Sequence, residues 1–376
     1  MAQPDVSVIV TTYQMPGHLR RVLASIARQT VARRLEVIVT DDGSADETPE
    51  VVRTFSQSTD LPVKFITHPH AGFHLTRCRN NAARVAASPY LLFLDGDCLI
   101  PPDHVEHYLS ARQVGTVHYG YCCRLERSVS ERIDEAAMAS SDFQNWATAA
   151  ELRKLALIHY KGLFYQWLGH RTKPALKGGN VGIWRADFQH INGFDENFRA
   201  WGCEDDDLSH RIRSAGLRVR SILNRTRTYH LWHPPATTKP ATKWSAGQNV
   251  QYLQRRGRLA CCVNGLRKRE LSDLSVKLIG RPEDFRAADQ FQRQVFGQPG
   301  SGAAEVELLF HPGQGNFSRA VDCRVLVTDD PQRVPARLLG RADIVVPTDP
   351  IRAAQILTQQ LHLTVAEQQA AGHAAA

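Results

Sequence analysis

Asp95-Gly96-Asp97 sets two carboxylates on either side of a residue without a side chain, straight after the apolar run Tyr90-Leu91-Leu92-Phe93-Leu94. Oxygen ligands at that spacing can hold one hard divalent cation, Mn²⁺ or Mg²⁺, and share it with a diphosphate. Such a triplet alone also serves as an ordinary turn, and its place at the end of a buried strand is what favours the metal. Downstream, Tyr229-His230-Leu231-Trp232-His233-Pro234 puts two imidazoles three apart after an extended segment. One of His230 and His233 is expected to join Asp95 and Asp97 as a metal ligand. Four successive acids, Glu204-Asp205-Asp206-Asp207, follow Trp201-Gly202-Cys203 at the start of a helix. Two or three would complement the positive end of the helix dipole. Crowding and burial beside an aromatic would raise the pKa of one of the four, which suits a general base.

Two further strand ends carry polar residues. Thr11-Thr12-Tyr13 closes the β-branched run Val6 to Val10, and Asp41-Asp42-Gly43-Ser44 closes Leu35 to Thr40. Separately they read as a loop and as a turn with a helix N-cap. Together with Asp95 and Asp97 they outline a crevice for a nucleotide base, its ribose and a diphosphate.

The elements that must position these groups alternate. Leu19, Val22, Leu23, Ile26 and Ala27 recur at helical spacing between the first two strands. Thr48 to Phe55 reads as a helix, Val63 to Ile66 as a strand, Thr76 to Ala87 as a helix and Tyr90 to Leu94 as a fourth strand. Such alternation predicts an α/β fold with a mostly parallel sheet, helices on both faces and ligands at the carboxyl ends of the strands. Val114 to Leu125 is strand-like, and Ser128 to Gly169 is helical and rich in aromatics, which read as core, acceptor or membrane contact. Ala175 to Phe188 returns to strand and turn, Glu204 to Ala215 is a helix ended by Gly216, and Val219 to Tyr229 is extended. Beyond Ser272, four short apolar runs around a Gly297 to Gly302 loop predict a small α/β appendage without recognisable chemistry. The boundaries expected are 1–268, 269–365 and a frayed tail at 366–376.

The 376 residues carry a formal net charge of +8, with 43% hydrophobic and 22% charged residues. That balance excludes a collagenous or wholly disordered chain. No stretch is apolar enough to span a bilayer and the amino terminus has no signal-peptide pattern, so a cytoplasmic protein is expected. Eight cysteines without CxxC spacing argue against a zinc knot or disulfide framework. Arginines cluster at Arg218 to Arg227 and Arg255 to Arg269, where they suit phosphates or form a solvated face.

The order TTYQ, DDGS, GFHLTRCRNNAA, YLLFLDGDC, KGGNVGIWR, NGFDENFRAWGCEDDDLSHRIRSAG and YHLWHP, over about residues 5 to 235, resembles the inverting GT-A-fold glycosyltransferases of family 2. Its EDDD segment is similar to the galactosyltransferase-type module of chondroitin-polymerase-like enzymes. The resemblance implies that Thr11, Tyr13, Asp41 and Asp42 surround uracil and ribose, with Arg77 near the nucleotide. It implies Asp95 and Asp97 at the metal and diphosphate, Gly179 and Asn180 along the donor sugar, and His230 completing the metal site. Trp201, Glu204 and Asp206 would frame sugar and acceptor, and Asp205 would be the base. Thr11 stands where the family commonly has Pro, Gln14 where it has Asn, and Cys203 where the galactosyltransferase branch often has Gly.

The expected reaction is metal-dependent transfer of a hexose or N-acetylhexosamine from a nucleotide diphosphate, UDP foremost, to a glycan or glycolipid hydroxyl. A bacterial cell-envelope polysaccharide and peripheral contact with the inner membrane face are the expected setting. Oligomeric state is left open. A silent carbohydrate-binding subunit would need no base, and a nucleotidyltransferase would need a Gly-rich basic loop after the first strand, where Thr11-Thr12-Tyr13-Gln14 stands instead. Scattered basic residues and the lack of a recognised module argue against nucleic acid.

Overall fold

β-branched and aromatic runs form the strands of this chain, and helices with one apolar face cover them. The computed structural model describes residues 3–170, 173–176, 179–199, 201–234, 247–279, 285–297, 303–311, 315–318 and 320–363. The chain divides into two compact units, Met1–Leu253 and Gln254–Ala376. The first holds β1 (Val6–Thr12), α1 (Pro16–Ala27), β2 (Leu35–Asp41), α2 (Thr48–Ser58), β3 (Val63–Thr67), α3 (Leu75–Val85), β4 (Tyr90–Asp95) and β5 (Cys98–Leu99). It continues through α4 (His104–Ala111), β6 (Thr116–Tyr119), β7 (Cys122–Arg124), α5 (Arg127–Glu131), α6 (Glu135–Ser140) and α7 (Ala149–Trp167). β8 (Asn180–Trp184), α8 (Arg185–His190), α9 (Glu204–Ser214), β9 (Arg218–Ser221), β10 (Thr228–His230) and α10 (Gln248–Leu253) complete it.

Seven strands form the main sheet in the order β3-β2-β1-β4-β8-β6-β9, all parallel except β8. Val8 and Val10 pack with Leu19, Val22 and Ile26 of α1 on one face. On the other, Phe93 meets Phe188 and Phe194. The α/β class and mostly parallel sheet expected from the sequence hold. Register aligns the functional strand ends: Thr11 lies opposite Thr40 and Asp95, and Thr12 opposite Asp41. Because β8 runs antiparallel to β4, with Asn180 opposite Leu94, Gly179 arrives at that same edge.

Two segments read as single extended runs are each divided between sheets. Val114 to Leu125 becomes β6 in the main sheet and β7 in a three-stranded sheet ordered β5-β10-β7; Val219 to Tyr229 becomes β9 and β10 in the same way. Gly120 lies at the first break, where a Cβ would come within 3.4 Å of the Tyr108 hydroxyl and 3.0 Å of Asn180 Cγ. The small sheet sets Cys98 opposite His230. That pairing joins Asp97, the residue before Cys98, to the histidine segment.

The second unit is a parallel sheet of β11 (Val276–Ile279), β12 (Val306–Phe310), β13 (Cys323–Val327) and β14 (Ile344–Val346). α11 (Phe285–Phe296), α12 (Ala336–Leu339) and α13 (Pro350–Gln360) accompany it. The units divide at Leu253 rather than at 268, because Leu259 and Val263 are buried in the second unit's core with Leu308, Val325 and Leu357. Residues 298–302 of the expected loop and the tail at 366–376 lie outside the described residues.

Candidate active site

At the floor of the crevice, chain contacts leave no room for side chains beside the carboxylates. A Cβ on Gly96 would stand 2.6 Å from the Thr11 carbonyl oxygen, and one on Gly179 would stand 2.6 Å from Asp95 Cγ and collide with its carboxylate. Glycine between the two aspartates is therefore a packing requirement as much as a turn preference.

Asp97 faces the histidines. His233 Nε2 lies 3.2 Å and His230 Nε2 3.4 Å from Asp97 Oδ2, and the backbone N–H of Leu231 donates to the Asp97 carbonyl at 2.8 Å. Ligand atoms of Asp97, His230 and His233 all fall within 4.8 Å of one another, and a second overlapping group joins Asp95, Asp97 and Cys98. One carboxylate and two imidazoles this close together could hold a divalent ion such as Mn²⁺, with Asp95 and a diphosphate to complete an oxygen-rich shell. Burial alone would push Asp97 up, but the hydrogen bond from His233 and the neighbouring His230 hold it below the usual carboxylate range. The same hydrogen bond raises His233. Both imidazoles, rather than one of them, are in reach.

Across the crevice, Arg79 of α3 binds two separate elements together. Its guanidinium is buried over the Phe194 ring, 3.0 Å from Asp95 Oδ1 and 3.4 Å from Asp205 Oδ1. The metal-side carboxylate of β4 and the acidic start of α9 thus share one counter-ion. Asp95 is raised by burial and by Asp97 and Asp205, against the pull of Arg79.

The four acids of α9 separate by helix phase. Glu204, Asp205 and Asp206 are half-buried, Asp205 reaching Arg79, whereas Asp207 turns inward and pairs with Arg211 at 2.6 Å, both side chains 1% exposed. Asp207 is a helix-internal i,i+4 pair and not part of the site. Burial, then the charge of Asp205, raises Glu204 to about 7, and its Oε2 is buried without a hydrogen-bond partner in the described residues. Cys203 caps this helix in the left-handed region at φ 75°, behind Gly202 at φ 101°. Trp201 is half-buried just before it.

In the pocket beside β1 and β2, the Tyr13 ring stacks on His70 with centroids 4.4 Å apart and 12° between planes. Asp42 lies 3.0 Å from His68 Nε2 and accepts from the backbone N–H of His74 at 3.1 Å. Thr11 is buried and reaches Asp95 Oδ1 only at 3.4 Å.

Three expected donor contacts are placed differently. Asp41 is 1% exposed and accepts from the Ser44 amide, the Ser44 hydroxyl and the Thr67 hydroxyl, so its carboxylate is committed to its own loop. Asn180 is 2% exposed, with Oδ1 accepting from the Tyr108 hydroxyl at 2.7 Å and 3.2 Å from His104 Nε2, inside the core rather than toward a sugar. Arg77 is exposed; Arg79, two residues on and about 200° round α3, is the arginine that meets the carboxylates. A signal for Arg79 was present, since it falls in the inward stripe with Thr76, Asn80 and Ala83.

With this geometry in place, comparison with known proteins is informative. Residues 7–147 match the family described as glycosyl transferase family 2, and residues 159–234 match the one described as N-terminal domain of galactosyltransferase. Residues 7–147 therefore carry a family 2 glycosyltransferase domain. Among curated proteins, the chain is 33% identical to validoxylamine A glucosyltransferase of Streptomyces hygroscopicus subsp. jinggangensis over 229 residues, 57% of this chain and 52% of that one. It is 27% identical to chondroitin synthase of Escherichia coli over 270 residues, 66% of this chain and 38% of that one. The chain spans about half or less of the length of these relatives. Of solved structures, a mannosyltransferase from Pyrobaculum calidifontis in complex with GDP-Man and Mn²⁺ aligns with a TM-score of 0.41 at 22% identity, covering 59% of this chain and 55% of that one. S. aureus TarS 1-349 in complex with UDP-GlcNAc aligns at 0.44 and 17% identity, covering 64% and 62%.

Proposed function

We propose that the crevice transfers a hexosyl or N-acetylhexosaminyl group from a nucleotide diphosphate sugar, UDP-linked foremost, to a sugar hydroxyl with inversion. The observation that carries this is Arg79, which fastens the metal-side carboxylate Asp95 to the base-bearing helix start at Asp205. A binding subunit has no need of that linkage.

Tyr13 and His70 offer stacked faces for a base, and Asp42 a carboxylate at its edge. Asp97, His230 and His233, with Asp95, would hold a divalent cation, which when bound would supply positive charge to the departing diphosphate. Gly179 leaves backbone free beside Asp95 for the donor sugar. Asp205 takes the proton of the attacking acceptor hydroxyl, and the Arg79 guanidinium keeps that carboxylate aimed between acceptor and donor. Glu204, near half-protonated at neutral pH, can both donate to and accept from sugar hydroxyls, with Asp206 and Trp201 beside it on the acceptor side. The value of about 7 also suits Glu204 to the base role, and this second reading is separated from the first by the amide variants below. A bacterial envelope glycan as product, and contact with the inner membrane face, belong to the same reading; among the described residues no helix is long and apolar enough to cross a membrane.

The decisive experiment is donor hydrolysis over UDP- and GDP-sugars with and without Mn²⁺. Turnover of one donor, lost on chelation and in Asp97→Ala, is the expected result. Full activity in excess chelator would remove the metal from the scheme, and no turnover of any donor would favour a binding subunit.

A further inference from the structure

Away from the donor crevice, the β6–β9 edge of the sheet bounds a cleft of ≈ 450 Å³. His118 and Arg220 are directly opposed in the β6–β9 pair and so point to the same face. With Arg225, the α7 residue His159, and the hydroxyls of Ser110 and Ser221, they line this cleft, and among the described residues no Asp or Glu lines it. His118 is only 6% exposed, yet its Nδ1 has no hydrogen-bond partner in the described residues. His159 Nδ1 lies 3.1 Å from Ser221 Oγ, and Arg225 donates to Ser110 Oγ at 3.4 Å. These are the arginines of the Arg218 to Arg227 group, for which the donor site has no use.

We propose that this cleft is a binding site for a phosphate group, held by Arg220 and Arg225 with hydrogen bonds from His118 and Ser221. Two guanidiniums beside an imidazole nitrogen without a partner are a donor set that suits phosphate oxygens. The volume falls in the range of small-ligand sites and admits a glycerophosphate. Burial first, then the charges of Arg220 and Arg225, drives His118 down to about 4.

A lipid headgroup is the source that the surroundings favour. Leu163, which lines the cleft, belongs to the outward face of α7, where Leu157, Tyr160, Phe164 and Trp167 are 66%, 68%, 54% and 80% exposed. Arg153, Lys154 and Lys161 are also exposed on α7, and the acid of α7, Glu151, is partly buried and paired with Lys154. Aromatic and aliphatic side chains between cations are what an anionic bilayer surface accepts.

The test uses the full chain, without nucleotide, and three proteins: wild type, R220Q/R225Q and F164S/W167S. The changed side chains are exposed, apart from any role in donor hydrolysis, which is measured in parallel and should be unchanged. Titration with inorganic phosphate and with sn-glycerol 3-phosphate should saturate for the wild type and weaken about tenfold or more in R220Q/R225Q. Co-sedimentation with phosphatidylcholine vesicles, with and without phosphatidylglycerol, distinguishes the sources. Binding that needs phosphatidylglycerol and falls in both double variants supports the lipid headgroup; saturation by glycerol phosphate with no vesicle binding supports a soluble phosphate ester in the same cleft. Failure of the wild type to bind any of the probes overturns the proposal. So does vesicle binding that R220Q/R225Q leaves intact, since that is general surface charge or self-association through α7.

Discussion

Arg79 is the residue on which both halves of the candidate site depend. Replacing it by Met would leave Asp95 and Asp205 facing one another without a shared cation, at a cost of about 2 kcal/mol once the partial exposure of both partners is allowed for. Arg79→Lys keeps the charge but not the fork that spans two carboxylates. Both variants should therefore lose donor affinity and turnover together, with Arg79→Lys nearer wild type in melting temperature than in kcat. The base is tested by three amides. Asp205→Asn should lower kcat by about 10²- to 10⁴-fold with donor affinity nearly intact, and Glu204→Gln and Asp206→Asn should do less. If Glu204→Gln instead removes an acidic limb of kcat near pH 7, the base moves one residue. Stability gives an independent readout. Glu204 has a folded pKa raised from 4.5 to about 7, so the folded chain keeps a proton that the unfolded chain releases, and stability falls as pH rises through that interval. Glu204→Gln should then raise Tm above pH 7, by about 2–4 °C for each kcal/mol relieved, and leave it unchanged at pH 4. Asp97, the histidine pair and the acidic quartet were legible in the sequence because their chemistry lies in short spacings. Arg79 was not singled out, since its role depends on residues 16 and 126 positions away meeting around it.

At the scale of elements, the site is made by strand ends that coincide in register. β1, β2 and β4 were readable because buried parallel strands are continuous apolar runs. The small β5-β10-β7 sheet was not readable. Its strands have 2 or 3 residues, too few for a period, yet it brings His230 beside Asp97. The antiparallel entry of β8 was equally invisible, and it explains Gly179. In Gly179→Ala the new methyl would meet the Asp95 carboxylate, whose other oxygen is tied to Arg79, so the carboxylate must leave its position. Donor affinity should fall about tenfold or more, measured by titration with the nucleotide sugar. Tm should change little, because the clash falls at the lip of the sheet and not in its core. A loss of stability equal to the loss of binding would show instead that the β4–β8 junction is a folding element. Asn180, next along β8, is the converse case: a polar residue in a plausible sugar-facing position whose amide oxygen the core consumes through Tyr108 and His104.

For the molecule as a whole, two units with separate cores predict separable folding. Every residue placed in the crevice lies before Leu253, and the core of Met1–Leu253 is complete without Leu259, Val263 or the sheet they cover. A chain ending after Leu253 should therefore fold and keep donor hydrolysis within about threefold of the full chain. One ending at residue 268 should behave worse, because Leu259 and Val263 are retained while the core they share with Leu308, Val325 and Leu357 is removed, leaving apolar side chains without their cover. Size-exclusion profiles and thermal melts of the two truncations, beside the full chain, give the comparison. Aggregation confined to the longer truncation, with normal turnover in the shorter, is the outcome expected of a boundary at Leu253. If the shorter chain folds but turns over no donor, the second unit contributes to the catalytic reading after all; if it cannot fold, the two cores are cooperative despite their separation, and the division of the chain at Leu253 describes packing alone.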